Sequence, residues 1–516
     1  MTTTKATAIR YYDVVIVGGG IAGIAIAEFL SRQHPLSIKV LEHAPQLGTG
    51  ASGKLEGWFH AGGLYSGLDD GQTFMNCLNA IEDLITHYTS HFPNRCNLTC
   101  TPRYTGICGP AVVPREDGWS NDAPVFYIHP TQASPEVQLS HFKNDAVLLE
   151  IQRQRVLGRM EAAFGGQHNW CPEDRCQAPT YAQIEGYHGT HCSLLWTSGL
   201  LDDVCQRFDK SFSLPPSKYD ILKSADVSLN AATILRDLVA SAVANGVEFD
   251  TGVTIENLVL DRFGTMRINS LLCRGQRQMP IHLKAKLFVF TVGAGFERYV
   301  QELRVSARLK VSHSAMVVAW PALSRLNFAR MSIKPKFHFN HMLQRGVGKQ
   351  GPIQFSMLAN SGFWDQDAQV AEKVVDIDAI LEAAERYFGR EPLHTRKLYT
   401  YECAKTEFLS EEEEKRRYSY WIEHLRDTNY IGVLPGKFSF FPTVAYQTYL
   451  RIKELLQLDA AVYHPTYRVD PAGEQQAKAL VADPYPVQIL SSELDAETDL
   501  LKGVCGEHSV VSPLEG

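Results

Sequence analysis

"YYDVVIVGGGIAGIAIAEFL", residues 11–30, sets three consecutive glycines between an apolar run and an Ala/Ile-rich stretch of helical spacing. Asp13 to Val17 is short, apolar and β-branched, the pattern of a buried parallel strand, and Ile21 to Leu30 continues at helical period. The turn between them, Gly18-Gly19-Gly20-Ile21-Ala22-Gly23, contains G-x-G-x-x-G. In that pattern Gly18 permits the tight turn, Gly20 lets a pyrophosphate approach the main chain, and Gly23 allows close helix packing. Ile21 and Ala22 open the helix, whose unsatisfied N–H groups and dipole favour an anion. The next strand, Ser37 to Leu41, ends at Glu42, 19 residues after Gly23. A carboxylate there can accept hydrogen bonds from a ribose diol.

After Glu42 the chain reads "HAPQLGTGASGKLEGWFHAGGLY", residues 43–65. Here it resembles the FAD-dependent oxidoreductases typified by D-amino-acid oxidase, glycerol-3-phosphate dehydrogenase and L-2-hydroxyglutarate dehydrogenase. The resemblance implies that the Gly/Ser-rich segment, with Ala51, Ser52, Lys54 and Gly57 as cofactor contacts, follows the pyrophosphate of FAD into the flavin site. His60-Ala61-Gly62-Gly63-Leu64-Tyr65 is similar to the His-Gly-Gly-Leu-Arg-Tyr stretch of glycerol-3-phosphate dehydrogenases. Tyr65 stands where Arg is expected, which argues against a phosphate-bearing substrate.

Three further landmarks follow in the family's order. Residues 227–261 read as an amphipathic helix, Asn230 to Asn245, then strands around Val247 to Phe249 and Val253 to Leu260. The resemblance implies that Val253 holds the adenine through its backbone. "KAKLFVFTVGAG", residues 284–295, is an apolar strand ending in a turn similar to the family's A-x-G-x-x, with Gly293 at the cofactor. "YIGVLPGKFSFFPTVAYQTYLRIKEL", residues 430–455, joins a strand to a helix through Pro435, Gly436, Lys437, Phe438 and Ser439. It is similar to the Gly-Gly-Lys-Leu-Thr-Thr segment whose helix start lies near the flavin O2 and ribityl chain. A positive end there would stabilise negative charge at N1 and O2 of reduced flavin.

What the resemblance implies for the fold is an α/β chain with an α+β cap. A Rossmann-like FAD-binding domain of the glutathione-reductase type is expected from residues 1–65, 225–300 and 425–470, with an interleaved substrate domain, built on an antiparallel sheet, from 66–224 and 301–424. Residues 471–516 read as a polar, loosely packed tail. Patterning adds helices at Gln72 to His91, Val147 to Phe164, Asp376 to Phe388 and Glu411 to Asp427, the last opened by a Ser410/Glu413 capping box. Strand-like runs fall at Lys310 to Trp320, Lys336 to Met342 and Ile353 to Leu358.

Composition bounds the partners. A net charge of −7 lacks the polybasic signature of a nucleic-acid or anionic-lipid binder. No stretch approaches the roughly 20 apolar residues of a membrane span, and no secretory signal precedes Tyr11, so a cytoplasmic location without an integral membrane segment is expected. The eleven scattered cysteines then read as mostly reduced and buried.

Flavin oxidation of an alcohol or amine needs a C–H aimed at N5, a base for the O–H or N–H proton, and often a cation for a substrate carboxylate. His60 is the candidate base or orienting group. Lys405, in "YTYECAKTEF", lies where relatives carry an anion-binding Arg. His338 and His341, in "FHFNHML", alternate to opposite faces of a strand, and either could face the flavin. His168, Cys171, Cys176, His188, His191 and Cys192 offer enough ligands for zinc, but C-x4-C is looser than the usual C-x2-C, so no metal is expected.

The expected activity is therefore an FAD-dependent dehydrogenase or oxidase acting by hydride transfer to flavin N5. Its small substrate would be anionic: an amino acid, a 2-hydroxy acid or a polyol-like compound. With a single dinucleotide fingerprint and no NAD(P)H domain, the electron acceptor would be oxygen, a quinone or a carrier protein. A flavin monooxygenase or halogenase is the alternative, but the Gly-Asp segment usual in those enzymes has no counterpart in this chain. Against a non-catalytic scaffold stand the intact glycines, Glu42 and the Gly436-Lys437 segment.

Overall fold

The computed structural model describes residues 9–60, 72–102, 108–112, 117–130, 195–196, 219–261, 266–275, 280–299, 302–303, 308–324, 326–333, 336–348, 351–359, 377–409, 420–459, 467 and 470–492. Strand β1 (Ile9–Val17) buries both faces of its C-terminal half because parallel neighbours flank it. Val14 pairs with Ile38 of β2 (Ile38–Leu41) on one side and with Leu287 on the other.

Among the described residues this first sheet has eight strands. Its parallel centre joins β1 and β2 to β9 (Glu248–Asp250), β12 (Pro280–Phe290) and β19 (Tyr430–Leu434). Antiparallel strands β10 (Thr254–Leu260) and β11 (Ile268–Arg274) extend it beyond β12. Helix α1 (Ile21–Gln33) is buried along its length, because α4 (Ala231–Ala244) and α8 (Phe441–Leu455) cover it. Its burial takes two charged side chains out of water, and they are paired. Arg32 Nε lies 3.0 Å from Glu28 Oε1, which also accepts from Ser241 Oγ at 3.1 Å.

The second sheet is almost wholly antiparallel. Its path runs β17 (Lys397–Leu409), β13 (Arg308–Trp320), β16 (Gly351–Ala359), β15 (Lys336–Gly348), β14 (Asn327–Ile333), β6 (Ser120–Pro130), β8 (Tyr219–Leu229) and β3 (Trp58–Phe59), with β7 (Leu195–Trp196) beside β8. Among the described residues only β14 and β6 of this sheet pair in parallel. Helix α6 (Ile377–Phe388) buries Ile380, Ala383, Ala384 and Tyr387 against Phe328, Phe339 and Leu358 of the sheet. The chain reaches this sheet before residue 65, since Trp58 pairs with Ser228. Residues 225–229 belong to it as well. A separate pair, β4 (Leu98–Pro102) and β5 (Cys108–Val112), completes the strands before the second sheet's β6.

Three local expectations are corrected. The helix predicted over Gln72 to His91 is α-helical only over Gln72–Leu84 (α3) and continues as a π turn, Ile85–Thr89, with Tyr88 buried. Inside the stretch Glu411 to Asp427, Trp421–Glu423 forms a strand, β18, because it pairs with β19 and packs its indole over Gly432. The C-terminal segment 470–492 is packed, not loose. Asp470 caps α9 (Pro471–Leu480), accepting from Ala472 N at 3.1 Å and Gly473 N at 3.3 Å. Leu47 then bridges to Val481, donating to Leu480 O at 2.8 Å and accepting from Ala482 N at 3.0 Å. Val487 and Leu490 are buried beyond it, with Val487 against Gly346 of β15.

The expected helix at Val147 to Phe164, Tyr65 and the Cys/His cluster at 168–192 lie outside the described residues. Among the described residues no group of His, Cys, Asp and Glu is placed to hold a metal ion. None of the described helices is long and apolar enough to cross a membrane. Cys77, Cys96, Cys273 and Cys403 are buried thiols.

Candidate functional site

The glycine turn closes by contacts that a side chain would break. Gly18 has φ +113°, and a Cβ on it would lie 2.6 Å from Thr291 O at the end of β12. Thr291 Oγ1 donates to Gly18 O at 2.9 Å. A Cβ on Gly23 would come 2.0 Å from Gly18 O, so the helix sits directly on the strand end. Gly20 is different. Its backbone is extended and its missing Cβ would meet only Ser52 Oγ, at 3.3 Å, so the absence of a side chain there leaves room and relieves no strain.

Ile21 N donates to Ser52 Oγ at 3.0 Å, tying the start of α1 to α2 (Ala51–Lys54). Glu42 Oε2 accepts from Gly19 N at 2.6 Å and Oε1 from Ala44 N at 2.8 Å. Both oxygens keep a further lone pair for hydroxyl donors. Val253, whose backbone is expected to meet adenine, donates its N–H to Glu42 O at 2.9 Å and is buried.

A cavity of about 390 Å³ connects these parts. Gly18, Gly20, Ile21, Ala22 and Glu42 line it, as do Ala51, Ser52, Lys54, Gly57 and His60. Gly293, Gly436, Lys437 and Phe438 line it too, and Lys405 joins them from β17 of the second sheet. Gly436 turns the chain at φ +64°, after which a single 3-10 turn leads into α8. Ser439, next to Phe438 but off the wall, has a buried hydroxyl with no hydrogen-bond partner among the described residues.

His60 is buried at the cavity edge with its ring 4.3 Å from the Trp58 ring. Its Nδ1 lies 3.9 Å from Asp226 Oδ2, which accepts from Trp58 Nε1 at 2.8 Å. His341 is not part of the site. It is fully buried on the face covered by α6, with Nδ1 2.7 Å from Leu326 O and Nε2 2.6 Å from Ser356 Oγ. Burial pushes its pKa down to about 4, so it is a neutral core histidine. His338 lies three residues earlier on β15, and its side chain is outside the described residues.

Several residues of the wall escaped the sequence reading, Glu56 and Glu407 among them. Glu56, between α2 and β3, accepts from Asn340 Nδ2, while its carbonyl accepts from Gln344 Nε2 at 2.8 Å. Burial raises its carboxyl pKa above the usual range, against the opposing pull of Lys405, Asn340 and Lys437. The next residue, Gly57, holds φ +68°, with its missing Cβ 2.3 Å from Leu229 O.

A helix start, a bare glycine and the Glu42 carboxylate around one cavity fit a bound dinucleotide. Fold and site together are similar to those of FAD-dependent oxidoreductases. Residues 13–109 match the family model described as FAD dependent oxidoreductase. No curated protein sequence matches the chain.

Among solved structures the fold is similar to L-α-glycerophosphate oxidase from Mycoplasma pneumoniae with FAD bound, at 12% identity and TM-score 0.52, covering 89% of this chain and 99% of that one. It is also similar to L-proline dehydrogenase from P. horikoshii, at 10% identity and TM-score 0.52, covering 92% and 100%. Glycine oxidase from Geobacillus kaustophilus follows at 13% identity and TM-score 0.50, covering 89% and 100%. At these identities the likeness is one of fold.

Proposed function

We propose that the protein is a dehydrogenase or oxidase that oxidises a C–H beside an amine or hydroxyl of a small anionic substrate: an amino acid, a 2-hydroxy acid or a polyol-like compound. One observation carries the reading. One cavity is lined both by the glycine turn and by His60, Lys405 and Lys437, which supports cofactor and substrate sharing it. On this reading the first sheet belongs to an FAD-binding domain of glutathione-reductase topology and the second to a substrate domain.

Gly20, Ser52 and the start of α1 would hold the pyrophosphate, Glu42 the ribose, and Gly436 to Ser439 the flavin end. FAD, when bound, supplies the two-electron acceptor. Lys405 offers its ammonium to a substrate carboxylate, and His60, steadied by Trp58 and Asp226, orients the reacting group. The second sheet excludes water from the reacting end. Electrons then leave to oxygen, a quinone or a carrier protein, in the cytoplasm.

The test is anaerobic titration of the purified holoprotein with glycine, L-proline, L-lactate and sn-glycerol 3-phosphate while the visible flavin band is followed. Bleaching by one compound supports the reading and names the substrate class. A protein that binds no FAD would overturn it.

A further inference from the structure

Glu56 is held by both halves of the molecule. It leaves α2 on the cofactor side, while Asn340 and Gln344, buried on β15, hydrogen-bond its carboxylate and its carbonyl. Gly57 presses the following backbone onto β8, and Leu229 N donates to Gly57 O at 2.5 Å. The carboxylate therefore stands on the cavity wall with His60, Lys405 and Lys437, in an orientation that neither half alone would fix.

Resting on the oxidoreductase reading above, we propose that Glu56 is the proton acceptor of the reaction, taking the O–H or N–H proton of the substrate as the adjacent C–H is oxidised. The bookkeeping of bonds is complete. The O–H or N–H bond breaks and its electron pair becomes the second bond between carbon and the heteroatom. The C–H hydrogen leaves carbon with both bonding electrons to FAD, the oxidant, and the proton joins Glu56, which later yields it to water.

The surroundings suit that task. Lys405 comes from β17 together with Tyr401, Cys403 and Glu407, Lys437 from the turn before α8, and Lys54 and His60 from Glu56's own segment. The two lysines favour the carboxylate form while burial raises its basicity above that of an ordinary carboxylate. A purely structural Glu56 would need only to accept the Asn340 hydrogen bond, and glutamine does that equally well.

Glu56→Gln therefore separates the roles. The assay is anaerobic flavin reduction in the holoenzyme as a function of pH, using whichever of the four compounds above bleaches the wild type fastest. Expected is a loss of roughly 10²–10⁴-fold in reduction rate, with the flavin spectrum intact and the acidic limb of the pH profile abolished. Glu56→Asp should keep that limb, which guards against a folding artefact. As an activity-free readout, in an Asp237→Asn background a carboxyl stretch in the infrared difference spectrum between about pH 5 and pH 9 should vanish on adding Glu56→Gln.

A Glu56→Gln rate within about threefold of wild type, with the limb lost instead in His60→Asn, overturns the proposal and assigns the proton to His60. If none of the four compounds bleaches wild-type flavin, the substrate reading fails. The infrared band then judges Glu56 alone, and its survival on adding Glu56→Gln overturns the assignment.

Discussion

Gly20 and Gly23 lie in one motif but are glycines for different reasons, and substituting each with alanine should separate them. At Gly23 the new Cβ would be 2.0 Å from Gly18 O, a backbone atom fixed by Thr291. Ordinary contacts are more than an ångström longer, so α1 must shift off β1. Overpacking of this kind costs about 1–3 kcal/mol, and the rigid partner places Gly23→Ala at the upper end. At Gly20 the Cβ would meet only a hydroxyl, at 3.3 Å, on a backbone already extended. The apoprotein should then lose no more than about 1 kcal/mol, the cost of alanine at an N-cap. Yet that methyl would occupy the space where the pyrophosphate meets the chain. Loss of about 1.4–3 kcal/mol of binding would raise the Kd for FAD roughly 10- to 150-fold. Urea unfolding of the apoprotein and quenching of FAD fluorescence measure the two effects. Gly20→Ala with wild-type FAD affinity would refute the placement of the pyrophosphate, and Gly23→Ala with an unchanged urea midpoint would refute the tight strand–helix contact.

Other outcomes follow from buried groups. Burial raises Asp237 to about 6 despite the Trp119 Nε1 hydrogen bond of 2.7 Å and the nearby Arg95. The native state then binds the extra proton between about pH 4 and 6, so stability falls as pH rises through that window, by at most about 3 kcal/mol. Asp237→Asn should flatten this slope in apoprotein urea midpoints measured across the window, and an unchanged slope counts against it. Val487→Asp would bury a charge against Gly346, costing roughly 2–4 kcal/mol and releasing segment 470–492. Proteolysis near residue 470 and weaker FAD binding through the freed Leu47 loop should appear together; resistance to protease would contradict the packing. His341→Phe should leave Leu326 O and Ser356 Oγ without their present partner, at about 1–3 kcal/mol each, while flavin reduction stays at the wild-type rate; a slowed rate would return His341 to the site.

The difference between what was legible and what was not follows the range of the forces involved. Gly18 and Gly23 could be read because a missing Cβ is a property of the residue itself, and Thr291 merely supplies the surface it must clear. Glu42 could be read because a strand of fixed rise delivers it to the glycine turn, where it accepts from Gly19 N. The helix expected up to Asp427 rested on local charge and capping, and a three-residue pairing with β19 overrode it at Trp421–Glu423. The packing of 470–492 was hidden because its buried apolar side chains, Val481, Val487 and Leu490 among them, are interspersed with polar ones. Val481 and Val487 find their partners at Leu47 and Gly346, far back in the chain. Glu56 is the extreme case. Its immediate neighbours give no sign of its environment, and the amide that orients it, Asn340, is 284 residues away. A carboxylate's basicity is set by what the fold brings to it, so a local motif points to a cofactor site well before it points to a group that could move a proton.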